Sequence, residues 1–230
     1  MSTIANEMSP IDFAKARAFM VEQQVRPWDV IDARVLDVLA TVPRDAYVPE
    51  AHRALAYADL PLPLGHGEFM MKPVVEGRTL QGLELTPGDE VLEIGTGSGF
   101  LSACLGRLAR DVLSLELHAD LADAARVRLA AQGVSNVRVE HADAFAYSTE
   151  RRFDAICVTG AVTTIPALFL SWLKPEGRMF VVLGHSPAME AVRVRRPIDG
   201  DKVNLPRLDS LFETDLPYLV GAAPVPAFQF

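Results

Sequence analysis

The sequence predicts an α/β fold, a doubly wound and mostly parallel sheet with an antiparallel edge strand and a helical N-terminal extension. Three observations carry this. From Glu90 onward, short continuous apolar runs alternate with helical patterns, as in parallel strands covered on both faces. The first run, Val91 to Ile94, opens directly into Gly95, Gly97 and Gly99 and then a helix. After Gly184 the pattern changes to alternation, with Val192 and Val194 on one face, which suits an antiparallel strand.

Taken in order, residues 1–8 read as a disordered tail, and residues 9–89 as helices and a long loop packed on the core. Ser9-Pro10-Ile11-Asp12 is a helix start, with a serine cap, proline at the first position and an acid in the first turn. That helix should run to Gln24 with Phe13, Ala16, Met20 and Val21 on one face, and Arg26-Pro27-Trp28-Asp29 should break it. Asp29 is the expected cap of a second helix to Thr41, whose apolar stripe is Ile31, Val35, Val38, Leu39 and Val42. Residues 43–72 are rich in proline and glycine, and their apolar residues Tyr47, Val48, Tyr57, Leu60, Leu62 and Leu64 predict a structured loop. A third helix is predicted from Pro73 to about Leu83. Residues 90–230 form the core: strands at 90–94, 112–116, 137–140, 154–158 and 178–183, and helices at about 99–109, 119–132 and 165–173. Glu190 to Arg196 supplies the antiparallel strand, and residues 208–220 can supply another.

Composition narrows the function. The chain has 230 residues, half of them apolar, which suffices for one large domain with an extension. A net charge of −8 argues against a dedicated nucleic-acid binder. Cys104 and Cys157, the only cysteines, lie in apolar runs and read as reduced core residues, and with scattered histidines no metal site is expected. No apolar run approaches the roughly 18 residues of a membrane span, and the first 25 residues lack a signal-peptide pattern, so a cytoplasmic protein is expected.

The glycine turn carries chemistry. A strand, a tight turn and a helix start bring backbone N–H groups and a positive helix end to one spot. The spacing Gly95-Thr96-Gly97-Ser98-Gly99 is G-x-G-x-G, not the dinucleotide G-x-G-x-x-G, and Glu93 stands just before it. A carboxylate there suits a ligand with a cationic end better than a pyrophosphate. Glu116 ends the second strand and Asp143 follows the third. Ligands of open α/β sheets bind beyond the carboxyl ends of strands, so the spacing gathers all three acids at one crevice. Glu116 stands where a ribose-binding acid is expected after such a turn, and Asp143 can accept a further hydrogen bond.

This combination resembles the first motif of the S-adenosylmethionine-dependent methyltransferases. From about residue 30 to 183 the chain further resembles the protein-L-isoaspartate O-methyltransferases. The matching stretches are Asp32-Ala-Arg-Val-Leu, Val42-Pro-Arg-Asp-Ala-Tyr-Val-Pro-Glu50, Leu62-Pro-Leu-Gly-His-Gly67 and Val91 to Gly99. They continue with Phe153 to Thr159, Ile165-Pro-Ala-Leu and Leu173-Lys-Pro-Glu-Gly-Arg178. The resemblance implies a Rossmann-like methyltransferase sheet, S-adenosylmethionine as cofactor, and repair of damaged proteins by methylation of the isoaspartyl carboxylate. Carried over by position, Glu93, Gly95, Thr96, Gly97, Gly99, Glu116, Leu117, Asp143, Ala144 and Thr159 would bind the cofactor. Gly65, His66 and Gly67 would form the active-site loop, with His66, Glu68 and Met71 the candidates facing the acceptor.

The acceptor segment departs from the family. Gly-His-Gly is followed in the family by Gln-Thr-Ile-Ser-Gln-Pro and here by Glu68-Phe69-Met70-Met71-Lys72-Pro73. The family's threonine is Phe69 and its serine is Met71. A thioether donates no hydrogen bond, so isoaspartyl methylation is expected to be slow or absent unless loop N–H groups or Lys72 compensate. The alternatives are a more apolar small-molecule acceptor, with His66 or Glu68 as base, and a cofactor-binding protein without turnover.

Overall fold

The computed structural model describes residues 11–198 and 205–224. The expected tail at 1–8 and the cap formed by Ser9 and Pro10 lie outside the described residues.

The N-terminal extension is helical, with shifted boundaries. Asp12 caps α1 (Phe13–Met20), its carboxylate accepting from Lys15 N at 3.0 Å. The chain stays helical through the wider turn Val21–Val25 and the 3-10 turn Arg26–Trp28. Asp29 does not cap the second helix. It takes φ 60° and ends the first, and Asp32 caps α2 (Ala33–Thr41) by accepting from Arg34 N at 2.8 Å. The reason lies in the third helix, α3 (Pro73–Leu83). Its Gln81 side chain accepts from Ile31 N and Asp32 N and donates to Asp29 O, which holds this connection extended. Ile31 is therefore 79% exposed and off the apolar stripe, while Leu36 is buried with Val35, Val38 and Leu39.

The loop at 43–72 is structured. It holds two 3-10 turns, Arg44–Ala46 and Glu50–Leu55, and a hairpin of β1 (Leu62–Gly65) and β2 (Glu68–Met70). At its tip Gly65, His66 and Gly67 all take positive φ, 106°, 55° and 83°. Only a run of residues tolerant of that region makes so tight a reversal.

The core is a seven-stranded sheet of order β5-β4-β3-β6-β7-β8-β9. Its parallel strands are β3 (Glu90–Ile94), β4 (Asp111–Glu116), β5 (Val137–His141), β6 (Phe153–Val162) and β7 (Leu173–His185). They are joined by α4 (Phe100–Leu108), α5 (Ala119–Ala131) and the short α6 (Ala167–Ser171). β8 (Ala188–Arg195) and β9 (Arg207–Thr214) complete the sheet as antiparallel neighbours. Side chains alternate between two apolar layers. Leu92 and Ile94 face Phe169 and Trp172 on one side, and Val91 packs with Leu101 and Leu105 on the other. Beyond β9 the chain does not continue as a strand through 220. It turns back over the sheet, where Tyr218 bridges Ala161 of β6. Cys104 and Cys157 are buried free thiols. No helix among the described residues is long and apolar enough to cross a membrane.

One buried ion pair ties the segments of the extension to one another. Arg44 is fully buried and donates to both oxygens of Glu76 in α3, at 3.0 and 3.2 Å. The same guanidinium donates to Ala56 O at 2.7 Å and to Met71 O at 2.5 Å. Removing one partner of such a pair leaves a buried charge uncompensated. Arg44→Met should therefore cost about 3–5 kcal/mol in urea unfolding, and adding Glu76→Leu should recover part of the loss. A single variant within 1 kcal/mol of the parent, on the scale of roughly 0–1 kcal/mol typical of exposed pairs, would contradict this reading.

Candidate active site

The carboxyl ends of β3, β4 and β6 and the loop after β5 open into one cavity of about 390 Å³. Gly95, Thr96, Gly97, Glu116, Leu117, Asp143, Ala144 and Thr159 all line it. The sheet order puts them in sequence across the cavity floor: Asp143 at one side, then Glu116, the glycine turn and Thr159. The opposite wall is the hairpin and the residues before α3, including Leu64, Glu68, Phe69, Met71 and Lys72.

The turn needs its glycines for space as well as conformation. Gly95 (φ 93°) lies so close to Thr159 that an added Cβ would sit 2.2 Å from its Oγ1. At Gly97 (φ 53°) a Cβ would come within 3.0 Å of Leu64 Cδ1, in the gap between turn and hairpin. Thr159 Oγ1 donates to Ile94 O and Gly95 O, both at 2.9 Å, and so braces the turn from the neighbouring strand. Glu116 accepts from Gly97 N at 2.8 Å and His118 N at 3.0 Å. Its carboxylate is thereby fixed at the cavity edge with lone pairs to spare. Asp143 is exposed, and one of its oxygens accepts from Phe145 N at 2.8 Å.

Three expected site residues stand elsewhere. Glu93 does not face the cavity. Strand alternation turns it away from the Leu92 and Ile94 face, and it is fully buried beneath the turn. There Ser102 and Ser114 donate to its carboxyl, and Ser114 in turn contacts Thr96 Oγ1 at 2.5 Å. Gly99 also lies outside the cavity. It begins α4 at φ 86°, and a Cβ there would meet Ala125 of α5 at 3.3 Å, so this glycine serves helix packing. His66 reaches from the hairpin tip to the start of α5 and does not line the cavity. Its Nε2 lies 2.9 Å from both oxygens of Asp120, and its ring stacks on His118 at 4.2 Å. That hydrogen bond holds the Asp120 carboxyl below its usual range. Glu68 and Met71 do line the cavity, with Glu68 3.7 Å from His118 Nε2.

Residues from Thr214 to Val220 form a further wall. The sequence offers them only as part of a possible strand at 208–220. Pro217 O accepts from Ala161 N at 2.8 Å and Ala161 O accepts from Leu219 N at 2.9 Å, which fastens the segment over the end of β6. The Leu-Pro-Tyr-Leu pattern signals burial but not its location.

Burial pushes the Glu93 carboxyl up to about 8, against the two serine hydrogen bonds that lower it. Folded Glu93 is thus protonated at neutral pH, whereas a free glutamate titrates near 4.3. The folded state holds the extra proton, so this group's contribution falls as pH rises from about 4.5 to about 8. Glu93→Gln should remove that slope. Its stability relative to the parent should rise between pH 5 and 7.5 by up to roughly 1.4 kcal/mol per pH unit, measured by urea unfolding. Parallel profiles would contradict the protonated assignment.

Comparison with known proteins shows the family and the fold. The family model described as Protein-L-isoaspartate(D-aspartate) O-methyltransferase (PCMT) matches residues 16–212. The protein-L-isoaspartate O-methyltransferase of Methylorubrum extorquens (strain PA1) is 41% identical over 186 residues, 80% of this chain and 81% of that protein. That of Koribacter versatilis (strain Ellin345) is 38% identical over 189 residues, 82% of this chain and 85% of that protein. In fold, the chain is similar to a Plasmodium falciparum structure described as a protein-L-isoaspartate O-methyltransferase in complex with S-adenosyl-L-homocysteine. The TM-score is 0.75 at 20% identity, covering 88% of this chain and 97% of that one. With a family match across most of its length, the chain belongs to the protein-L-isoaspartate O-methyltransferase family.

Proposed function

We propose that this enzyme methylates the free carboxylate of isoaspartyl residues in peptides and proteins, using S-adenosylmethionine. The observation that carries the reading is the cavity floor, where the G-x-G-x-G turn, Glu116 and Asp143 converge beside an acceptor segment of family sequence position. The residues fit that cofactor. Glu116 offers a fixed carboxylate to a ribose diol. Asp143 offers an acceptor to an adenine amino group, with Ala144 and Phe145 as apolar neighbours for the ring. The close-packed glycine turn leaves room for an amino-acid moiety where any side chain would intrude.

Bound there, S-adenosylmethionine supplies an electrophilic methyl carbon. The acceptor carboxylate is ionised near neutral pH and gains the methyl group as an ester, so no proton has to be removed from it. The protein's task is to align the acceptor and exclude water. That the ring of His66 is turned to Asp120 is consistent with a reaction that needs no general base. A hydroxyl or amine acceptor would need one, and of the two expected bases only Glu68 reaches the cavity. The reading of an apolar small-molecule acceptor rests on Phe69 and Met71, which line the wall where the family carries hydroxyls. Family membership favours an enzyme over a binding protein without turnover. The two free thiols suit a reducing compartment, and a cytoplasmic location belongs to this reading.

The test is donor-dependent methylation of an isoaspartyl peptide beside its aspartyl twin. Methylation of the first alone supports the proposal, and donor binding with no methylation of either would defeat it. Phe69→Thr with Met71→Ser should raise kcat/KM on the isoaspartyl peptide, because the two hydroxyls act as a pair. Glu116→Ala should weaken S-adenosylhomocysteine binding by roughly 1.5–3 kcal/mol in calorimetry. An unchanged Kd would place the ribose elsewhere.

A further inference from the structure

The charge lining of the cavity is one-sided. Glu68, Glu76, Glu116, Asp143 and Asp215 contribute carboxylates, and Lys72 is the one lysine or arginine among the described lining residues. Glu76 is neutralised by Arg44. Glu116 and Asp143 stand at the β4 and β5 side of the floor. Lys72 stands on the opposite wall, between Met71 and the start of α3, and α3 packs on β6 and β7. An anionic acceptor entering on that side meets apolar Phe69 and Met71 and a field otherwise set by carboxylates. A carboxylate stripped of water there needs a cation or strong donors.

Lys72 is built to be that cation. Its backbone is held on both sides: Met71 O accepts from buried Arg44, and Lys72 O accepts from Glu76 N at 3.0 Å as the first helical hydrogen bond of α3. Its side chain is exposed and forms an ion pair with no carboxylate of the described residues. A fixed base with an uncommitted ammonium, at the edge of an apolar wall, suits capture of an incoming anion.

We infer that Lys72 is the positioning residue for the acceptor carboxylate, in place of the hydroxyls that Phe69 and Met71 have displaced. This rests on the isoaspartyl reading above. Lys72 takes no part in bond making. It holds the carboxylate by charge, so its effect falls on acceptor binding and leaves cofactor binding alone.

The test compares an isoaspartyl peptide with the same β-linked peptide in which the free carboxylate is a carboxamide. Binding of each to the enzyme saturated with S-adenosylhomocysteine is measured by calorimetry, and methylation of the first by initial rates. The parent should prefer the carboxylate peptide. Lys72→Met should erase that preference and raise KM for the isoaspartyl peptide about 10- to 100-fold, with kcat little changed and S-adenosylhomocysteine affinity unaltered. Lys72→Arg should restore most of the preference. If the parent prefers the carboxylate and methylates it while Lys72→Met does both equally well, the inference fails and the isoaspartyl reading stands. If the parent neither prefers nor methylates the carboxylate peptide, the isoaspartyl reading fails and takes the inference with it.

Discussion

One buried guanidinium ties the N-terminal extension into a single body. Arg44 comes from a 3-10 turn in the N-terminal extension, yet its donors reach the loop at Ala56, the carbonyl of Met71 and the carboxylate of Glu76. Those three points belong to three chain segments that share no regular secondary structure with it. Taking such a charge out of water costs several kcal/mol, and only a full set of partners offsets that. Every donor satisfied on Arg44 is therefore a constraint on where the chain runs. The most consequential is the one on Met71, because it sets the backbone from which Met71 and Lys72 reach the cavity. The extension thus does more than cover the sheet. It supplies the hairpin wall of the cavity, and Arg44 also lies over the Phe100 ring of α4, 5.4 Å from its centroid.

The floor is governed by a different constraint, the period-2 alternation of parallel strands. Glu93 and Glu116 both stand at or near strand ends, and both carboxyls are buried. Glu116 is the last residue of β4, beyond which the chain leaves the sheet, and its carboxylate folds back onto Gly97 N at the cavity edge. Glu93 is one residue short of the end of β3, on the face of α4, and is locked under the turn by Ser102 and Ser114. Glu116 stands at the cavity edge, and Glu93 braces the turn from beneath.

This explains which parts were legible in the sequence. The strands and α3 were readable because continuous apolar runs and a proline start are local signals. Gly95, Gly97, Glu116 and Asp143 were readable because topology alone brings strand ends together. The direction of Glu93 was readable in principle, since alternation from Leu92 and Ile94 already turns it away from them. The roles of His66 and the 214–220 segment were not. His66 sits in a run of three positive-φ residues and is captured by Asp120, which lies 54 residues away in sequence. The segment ending at Val220 finds β6 through a single bridge at Ala161. Contacts of that kind are fixed by tertiary packing and leave no periodic trace. The β1–β2 hairpin escaped for a related reason, since strands of four and three residues are too short to show a pattern.

We place the acceptor at the Met71 and Lys72 wall, across from the carboxylates of the floor. Methionine methyl groups report on this directly, because Met71 lines the cavity while Met20 and Met179 are fully buried away from it. The measurement is a methyl carbon–proton NMR spectrum of protein labelled at methionine methyls, saturated with S-adenosylhomocysteine and titrated with an isoaspartyl peptide. A saturable shift of the Met71 resonance is expected, with Met20 and Met179 unmoved and the aspartyl twin without effect. Peptide binding that leaves Met71 unshifted would contradict it and place the acceptor at another wall.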